Sequence, residues 1–197
     1  SIAGLHFTDE LLHTLNTKGI ETEYVTLHVG AGTFKPVSSE TIGDHFMHEE
    51  KIIITEDFIH KLLKNKKKQL IAVGTTVTRT LESLFVIGAK LYLKLENPLL
   101  VEQWETYDNP HIHEVTVDQS LTAILDFLKQ HDTDMLRAST RLIILPTYKR
   151  HIVNGLITNF HQPKSTLLLL ISNFLGDDWH RIYQHALDSG YRFLSNR

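Results

Sequence analysis

The sequence predicts an α/β fold in which strands and helices form separate layers. Residues 70–74 and 141–146 are short and largely apolar, which is typical of strands buried inside a sheet. Residues 75–82 follow the first of these strands directly and open a helix with hydroxyl side chains, as at the carboxyl edge of many α/β sheets. Polar loops rich in Gly, Thr, His, Asn and basic residues follow the predicted strands at 28–36, 74–79, 146–149 and 159–166. Their clustering favours a small-molecule or nucleotide site over a purely structural scaffold.

The composition is that of an ordinary globular domain. The 197 residues suffice for a hydrophobic core, with 42% hydrophobic and 22% charged residues. The longest apolar run, 167–171, is far shorter than the roughly 18 residues that a membrane span needs. The absence of cysteine suits a reducing compartment, so we predict a cytoplasmic protein. The sequence leaves the oligomeric state open and slightly favours a monomer. Because it starts at Ser1 rather than Met, we expect it to be part of a longer chain.

A capped helix and an alternating strand come first. Thr8 suits an N-cap, a leucine stripe follows, and Gly19 suits the helix end. Residues 20–29 alternate as a strand does. The strand leads to Gly30 and Gly32, where a backbone without side chains can approach a ligand. The loop matches neither G-x-G-x-x-G nor a Walker pattern, so a plain wide turn is the preferred interpretation of this pattern alone.

His45, His48 and Glu49 could suggest a metal site. The two histidines are three positions apart, whereas the zincin helix needs them four apart with a glutamate beside the first. The sequence indicates no further ligand. We therefore predict no metal, and we expect these groups to hydrogen-bond a polar substrate.

A second helix is predicted from residue 56 to about 68, behind the N-cap Thr55. The lysines at 64–68 either complement the helix dipole or bind an RNA backbone. Because the net charge is −3, any contact with RNA must come from a local basic patch of this kind. In the next helix, Arg79 and Glu82 stand three positions apart and could pair on the surface. Alternatively, Arg79 points to a carboxylate or a phosphate.

The second half begins with a strand at 91–95 and an apparent insertion. Residues 96–140 are polar and acidic at first and then form an amphipathic helix at 120–130. We interpret this segment as an insertion with its own helical hairpin, inside a single domain that spans residues 1–197.

The chain then returns to strands and two final helices. Asn154-Gly155 is a strong hairpin signal between strands at 148–153 and 156–160. After a helix that ends near residue 175, Asp177 caps a last helix, and 191–194 form a terminal strand.

The loop before the apolar helix is the most distinctive stretch. Lys164, Ser165 and Thr166 stand at the predicted helix N-terminus, where free backbone N–H groups, hydroxyls and an ammonium could bind an anion. In the alternative interpretation, Ser165 or Thr166 merely caps the helix, Asn159 serves the turn, and His161 is an ordinary rim histidine.

Six motifs occur in the order found in one known family. They are Ala-Gly-Leu-His-Phe-Thr at 3–8, Thr-Leu-His-Val-Gly-Ala-Gly-Thr-Phe-Lys-Pro-Val at 26–37, Met-His-Glu at 47–49, the run around 73–83, the loop 158–166 and Tyr-Arg-Phe at 191–193. With them the chain resembles the S-adenosylmethionine:tRNA ribosyltransferase-isomerase family of queuosine biosynthesis, apart from 96–140.

The resemblance implies an α/β/α sandwich with a mixed sheet, plus the helical insertion at 96–140. The family's β-barrel domain, which comes earlier in sequence, would be largely absent. The resemblance further implies an enzyme that acts on tRNA carrying 7-aminomethyl-7-deazaguanine at the anticodon wobble position. The ribosyl part of S-adenosylmethionine moves to the aminomethyl nitrogen, giving epoxyqueuosine, adenine and methionine. S-adenosylmethionine is thus a consumed substrate, and no cofactor, metal or membrane is implied.

This chemistry suggests roles for residues in the matched motifs. The attacking amine must be neutral, a proton must leave the carbon beside the sulfonium, and adenine leaves more easily when it is protonated or hydrogen-bonded. The candidate catalytic residues are His28, His48, Glu49 and His161. The candidate substrate-binding residues are His6, Gly30, Gly32, Thr33, Thr75, Thr76, Arg79, Glu82, Asn159, Lys164, Ser165 and Thr166.

Two segments depart from the family pattern. Pro146-Thr147 stands where the family has Pro-Gly, and 195–197 replace a Tyr-Gly-Asp continuation. A second interpretation is therefore a non-catalytic relative or fragment that binds tRNA or a nucleotide without turnover. A third is an unrelated histidine-rich metal hydrolase, which analysis of bound metal would test.

Overall fold

The computed structural model describes residues 3–28, 46–161 and 166–193, and over these residues the protein is a mixed α/β fold, as predicted. The strands are β1 (Thr26–His28), β2 (Glu50–Thr55), β3 (Ile71–Val73), β4 (Leu100–Val101), β5 (Met135–Thr140) and β6 (Gly155–Ile157). The helices are α1 (Asp9–Thr17), α2 (Glu56–Lys64), α3 (Thr75–Tyr92), α4 (Glu105–Asp108), α5 (Val117–Gln130), α6 (Thr166–Leu175) and α7 (Trp179–Asp188).

The larger sheet is mixed and has the strand order β1-β2-β5-β4. β2 is antiparallel to both β1 and β5, while β4 is parallel to β5. Residues directly opposite each other on paired strands lie on the same face of a sheet. Ile52 and Ile54 of β2 are buried and face the core. Lys51 points the other way, opposite His28 on β1 and Ser139 on β5, and we call this side the outer face.

The inner face of the sheet packs on α3, which in turn packs along α5. From Thr78 to Lys90 every residue of α3 is buried. Gly88 permits the close approach of α5, because a side chain there would overlap Ser120. The Ser120 hydroxyl donates to the carbonyl of Phe85 at 2.8 Å and ties the two helices together.

The segment 96–140, predicted as an insertion, contributes to this same core. It supplies β4, α5 and β5, and α5 buries one apolar side against α3. Lys90, itself 2% exposed, binds the segment from α3: its ammonium donates to the carbonyls of Asn97 and Leu100 and pairs with Glu105 at 2.6 Å. The segment therefore belongs structurally to the sheet and to the helix layer.

The predicted hairpin around Asn154-Gly155 is wrong. Residues 148–153 form no strand, and β6 pairs in parallel with β3, which places Gly155 opposite Ile71. Asn154 holds this register: its backbone N–H donates to the carbonyl of Leu70 at 2.9 Å, and its side-chain oxygen accepts from the Leu70 N–H at 2.8 Å. The dipeptide signal is local and could not reveal a partner 84 residues away.

Other strand predictions also fail, because apolar runs can be buried without sheet pairing. Residues 91–95, predicted as a strand, are instead the end of α3 and the turn after it. Residues 141–146, also predicted as a strand, form none, and the strand β5 ends just before them at Thr140. The Leu142 N–H donates to the Thr140 hydroxyl and its carbonyl accepts from Arg79, so side chains take the place of a neighbouring strand. The described residues of the predicted terminal strand, 191–193, form no strand.

Helices were predicted most accurately where a cap was recognised. The Thr8 hydroxyl accepts from the N–H of Leu11, and the Thr55 hydroxyl accepts from the N–H of Phe58, both at 3.2 Å. The predicted last helix is present as α7, but the predicted cap at Asp177 is wrong, since Asp177 lies in a short 3-10 turn and Asp178 precedes the helix without a side-chain cap. Within the described part of the chain, no helix is long and apolar enough to cross a membrane.

Candidate active site

Polar residues at the start of β2 are divided between the two sides of the sheet. Glu50 points inward and is 1% exposed, whereas Lys51 points outward. Glu49 and His28 line one groove on the outer face. Two candidate catalytic residues that are 21 positions apart are thus brought to the same surface.

Arg141, at the end of β5, holds Glu49 in place. Its Nη2 lies 3.0 Å from Oε2 of Glu49, and its Nη1 lies 3.2 Å from Oε2 of Glu102. The guanidinium also lies 5.4 Å from the ring centroid of Phe46, within the range of a cation–π contact. The carboxylate of Glu49 is therefore oriented by an arginine that is itself held from two other directions.

On the inner side, Arg79 and Glu50 form a buried ion pair. Nη1 of Arg79 lies 3.1 Å from Oε2 of Glu50, and Nε donates to the carbonyl of Leu142 at 3.0 Å. Burial lowers the pKa of Arg79, and the adjacent Glu50 carboxylate opposes that shift. The surface pair of Arg79 with Glu82 that the spacing suggested does not form, because each side chain has its own buried partners.

Glu82 organises the loop 148–153 from the core. Its carboxylate accepts the backbone N–H groups of His151, Ile152 and Val153 at 2.9–3.0 Å and the hydroxyl of Tyr148 at 3.2 Å. Burial raises the pKa of Glu82, while these hydrogen bonds lower it. Donors from the protein thus already surround this carboxylate.

His151, within this loop, stacks on His113. Nδ1 of His113 lies 2.8 Å from Nε2 of His151, and the His151 ring stacks on Phe85 with centroids 3.7 Å apart. Burial, with smaller contributions from the nearby His113 and Lys149, lowers the pKa of His151 to about 3. His151 is therefore a neutral packing group at neutral pH.

The end of β6 and the start of α3 bring together a second group of predicted residues. The N–H of Gly74 donates to the carbonyl of Ile157 at 2.8 Å, so the loop that begins at Thr158 lies beside the first turn of α3. Thr75 and Thr76 stand in that first turn, and both are half-buried. Arg79 is one turn further along and reaches Glu50, which is adjacent in sequence to Glu49.

His161 is held within this loop. Its Nε2 lies 2.9 Å from the hydroxyl of Thr158. The preceding Phe160 packs against Tyr183 and stacks on Phe193, with centroids 4.7 and 4.5 Å away. Burial lowers the pKa of His161, so its imidazole is neutral at neutral pH and able to accept a proton.

The sequence profile of the queuosine biosynthesis protein family matches residues 1–196. The chain belongs to this family. It is 39% identical over 196 residues to an S-adenosylmethionine:tRNA ribosyltransferase-isomerase of Halothermothrix orenii and 37% identical to that of Treponema denticola. In both cases 98% of this chain is covered but 45% of the relative, so the chain spans less than half of their length.

A solved structure of the family shows the same fold. The crystal structure of S-adenosylmethionine tRNA ribosyltransferase from Thermotoga maritima matches with a TM-score of 0.61 and 28% identity. The match covers 98% of this chain and 48% of that one.

The family-derived site residues are spread over several places. His28 and Glu49 share the outer face, and His48 directly precedes Glu49 as an exposed residue. Thr75, Thr76, Asn159 and His161 lie where α3 begins and β6 ends. His6 is the exposed last residue of a short 3-10 turn, and Thr166 is the first residue of α6. Gly30, Gly32, Thr33, Lys164 and Ser165 lie outside the described residues, as does His45.

Arg141 and Glu50 are absent from the residues that the sequence predicts for the site. The sequence predicts a strand that begins at Arg141, and Glu50 belongs to no motif of its own. The alternation of sides along β2 separates Glu49 from Glu50, and a prediction of that strand could have given this signal.

The lysine-rich end of α2 is partly neutralised. Lys66 pairs with Asp118, and Lys68 pairs with Glu21 at 3.0 Å. Among the residues described, no three His, Asp or Glu side chains are grouped as they would be to hold a metal ion.

Proposed function

We propose that this chain carries the ribosyl-transfer site of an S-adenosylmethionine:tRNA ribosyltransferase-isomerase. The observation that carries the proposal is the presence of His28 and Glu49 in one groove, with Glu49 oriented by Arg141, in a chain matched by the family over 196 residues. The substrates are S-adenosylmethionine, consumed in the reaction, and a tRNA with 7-aminomethyl-7-deazaguanine in its anticodon. No cofactor or metal takes part in the proposed reaction.

In the proposed reaction, the aminomethyl nitrogen forms a bond to C1′ of the ribosyl group as the bond from C1′ to adenine breaks. After loss of a proton from C5′, the carbon beside the sulfonium, C5′ forms a bond to C1′ as the bond from C1′ to the ring oxygen breaks. The freed ring oxygen then displaces methionine from C5′ and closes the epoxide. Glu49 is well suited to act near the positively charged sulfonium, because its carboxylate is held in one orientation. His28, on the same face, is the candidate for the proton of the attacking amine.

His161 is the proposed partner of adenine. Its lowered pKa favours the neutral ring, which can hydrogen-bond the leaving base and exchange a proton with it. The contact to Thr158 fixes the ring, and Thr75 and Thr76 lie nearby to bind polar groups of the same substrate. His48 is a further candidate base at the entrance to β2.

The test is adenine release from S-adenosylmethionine in the presence of tRNA that carries the 7-aminomethyl base. We expect adenine only when both substrates are present, and a fall of about 100-fold or more for Glu49→Gln and for His161→Ala. His13→Ala, an exposed change on α1, is the matched control and leaves the rate unchanged.

Two outcomes would contradict the proposal. Binding of both substrates without adenine would favour the alternative function, in which the chain binds tRNA or a nucleotide without turnover. Full activity of Glu49→Gln would remove Glu49 from the chemistry.

A further inference from the structure

The outer face of the four-stranded sheet forms a groove of about 1020 Å³ that the chemistry above uses only at one end. His28 and Glu49 stand at that end. Beyond them the floor consists of β2 and β5 side chains, and Phe127 and His131 from the end of α5 close the far side. The groove is open to solvent, and its lining extends from β1 across β2 and β5 to the end of α5.

Two cations stand on the floor of this groove. Lys51 and Arg137 are exposed, and neither has a carboxylate partner among the residues that the structure describes. Lys51 is opposite Ser139 and Ile53 is opposite Arg137, so the two cations are diagonal neighbours, about 7–8 Å apart at their backbones. Two long cationic side chains at this separation can reach neighbouring charges on one polyanion.

Two further features of the lining fit the same partner. Glu49 is the one carboxylate among the described residues that line the groove, and Arg141 pairs with it. The exposed ring of His131 lies against Phe127, with centroids 4.1 Å apart, and offers an aromatic surface at the far end. Cations on the floor and an aromatic platform at one side are the features that bind single-stranded RNA.

We infer that this groove binds the phosphodiester backbone of an RNA strand and leads it to His28 and Glu49. Lys51 and Arg137 would contact successive phosphates, and a base would stack at His131. The identity of the RNA as a tRNA rests on the proposed function. The lysine end of α2 is the less suitable surface, because Lys66 and Lys68 are already paired with acidic residues.

The experiment measures binding of this chain to a fluorescently labelled, unmodified tRNA at several salt concentrations. We expect Lys51→Ala and Arg137→Ala each to weaken binding by about 3–10-fold near 0.1 M salt. The double variant should reduce the slope of log K against log salt by about 1.5, because each lost phosphate contact removes roughly 0.7–0.9.

Lys129→Ala is the matched control, since Lys129 is an exposed cation on α5 that lines a different, acidic groove with Asp126, Asp132 and Asp134. It should change the affinity by less than about 2-fold. All three positions are exposed, and equal thermal melting of the variants would show that their folds are intact.

Several results would overturn the inference. The first is a double variant whose affinity for tRNA and whose salt dependence equal those of the wild type. The second is a loss of tRNA binding in Lys67→Ala, on the α2 side, rather than in the groove variants. The third is displacement of the tRNA by free adenosine monophosphate at the same concentration as the tRNA. The last would identify a mononucleotide site.

Failure of the groove and failure of the proposed reaction can be distinguished. Groove-dependent tRNA binding without adenine release contradicts only the proposed reaction. Adenine release that is unaffected by the double variant contradicts only the groove.

Discussion

The two sides of the four-stranded sheet use the same residue types for opposite purposes. On the inner side, Glu82 accepts four hydrogen bonds, and Glu50 pairs with Arg79 out of contact with water. On the outer face, Lys51 and Arg137 are exposed with no carboxylate partner described. A buried charge must be compensated by the protein itself, whereas an exposed one keeps its capacity for a ligand. Burial on the inner side therefore commits a charged residue to a partner within the protein, whereas exposure on the outer face does not.

The largest effect is expected from breaking the ion pair on the inner side. Glu50→Leu should lower the free energy of unfolding by about 3–5 kcal/mol, because it leaves the Arg79 guanidinium buried without its carboxylate. The double variant Glu50→Leu/Arg79→Met should recover most of that loss. Urea unfolding followed by circular dichroism measures both. A single variant as stable as the wild type would show that water reaches this pair.

The second-largest loss of stability is expected for Glu82→Gln. The amide places an NH₂ group against N–H donors of the loop 148–153, so we expect a loss of about 2–4 kcal/mol. The matched outer change, Glu102→Gln, should cost less than about 1 kcal/mol because its ion pair with Arg141 is exposed. Thermal unfolding of the two variants compares the sides directly, and equal losses would contradict the distinction.

A smaller effect on the free energy of unfolding is expected from protonation of His151 at low pH. The folded-state pKa is about 3, and the unfolded value is about 6.5, so between these limits the unfolded chain binds the proton more readily. The stability is complete above pH 6.5 and is lost as the pH falls towards 3. Because the ring is partly exposed, we expect a loss of about 1–2 kcal/mol by pH 5.

His151→Phe should reduce this dependence while it preserves the stacking on Phe85. Unfolding curves at pH 7.5 and about pH 5 test the difference, with His13→Gln as an exposed control. An equal pH dependence in His151→Phe and wild type would assign the titration to another group.

The smallest effect on stability is expected at Arg141. Arg141→Lys should change the free energy of unfolding by less than about 1 kcal/mol, since its ion pairs are partly exposed. Lysine cannot present two nitrogens to Glu49 and Glu102 at once, so adenine release should fall by about 10-fold through misplacement of Glu49. If the rate of adenine release fell only in proportion to the fraction of folded protein, Arg141 would contribute to stability and not to the position of Glu49.

Local patterns predicted the helices well and the strand pairing poorly. Thr8 and Thr55 could be identified as caps because an N-cap hydroxyl bonds a backbone group three residues away. The Asn154-Gly155 hairpin failed because Asn154 bonds Leu70 and the Glu82 carboxylate occupies the N–H groups of the preceding loop. Such partners are 69–84 residues distant and leave no local trace.

The sequence by itself determined the α/β class, the capped helices, the presence of a strand at β3 and the motifs that match the queuosine biosynthesis family, whereas β3 is not buried as predicted, since Ile71 is exposed. The tertiary structure alone decided where the charged residues go. It turned Glu50 inward to Arg79 and Glu49 outward to Arg141, although the two glutamates are neighbours in the chain. The physical reason is that successive residues of a strand face opposite sides, and only the packing of α3 and α5 on one side defines which of them is buried.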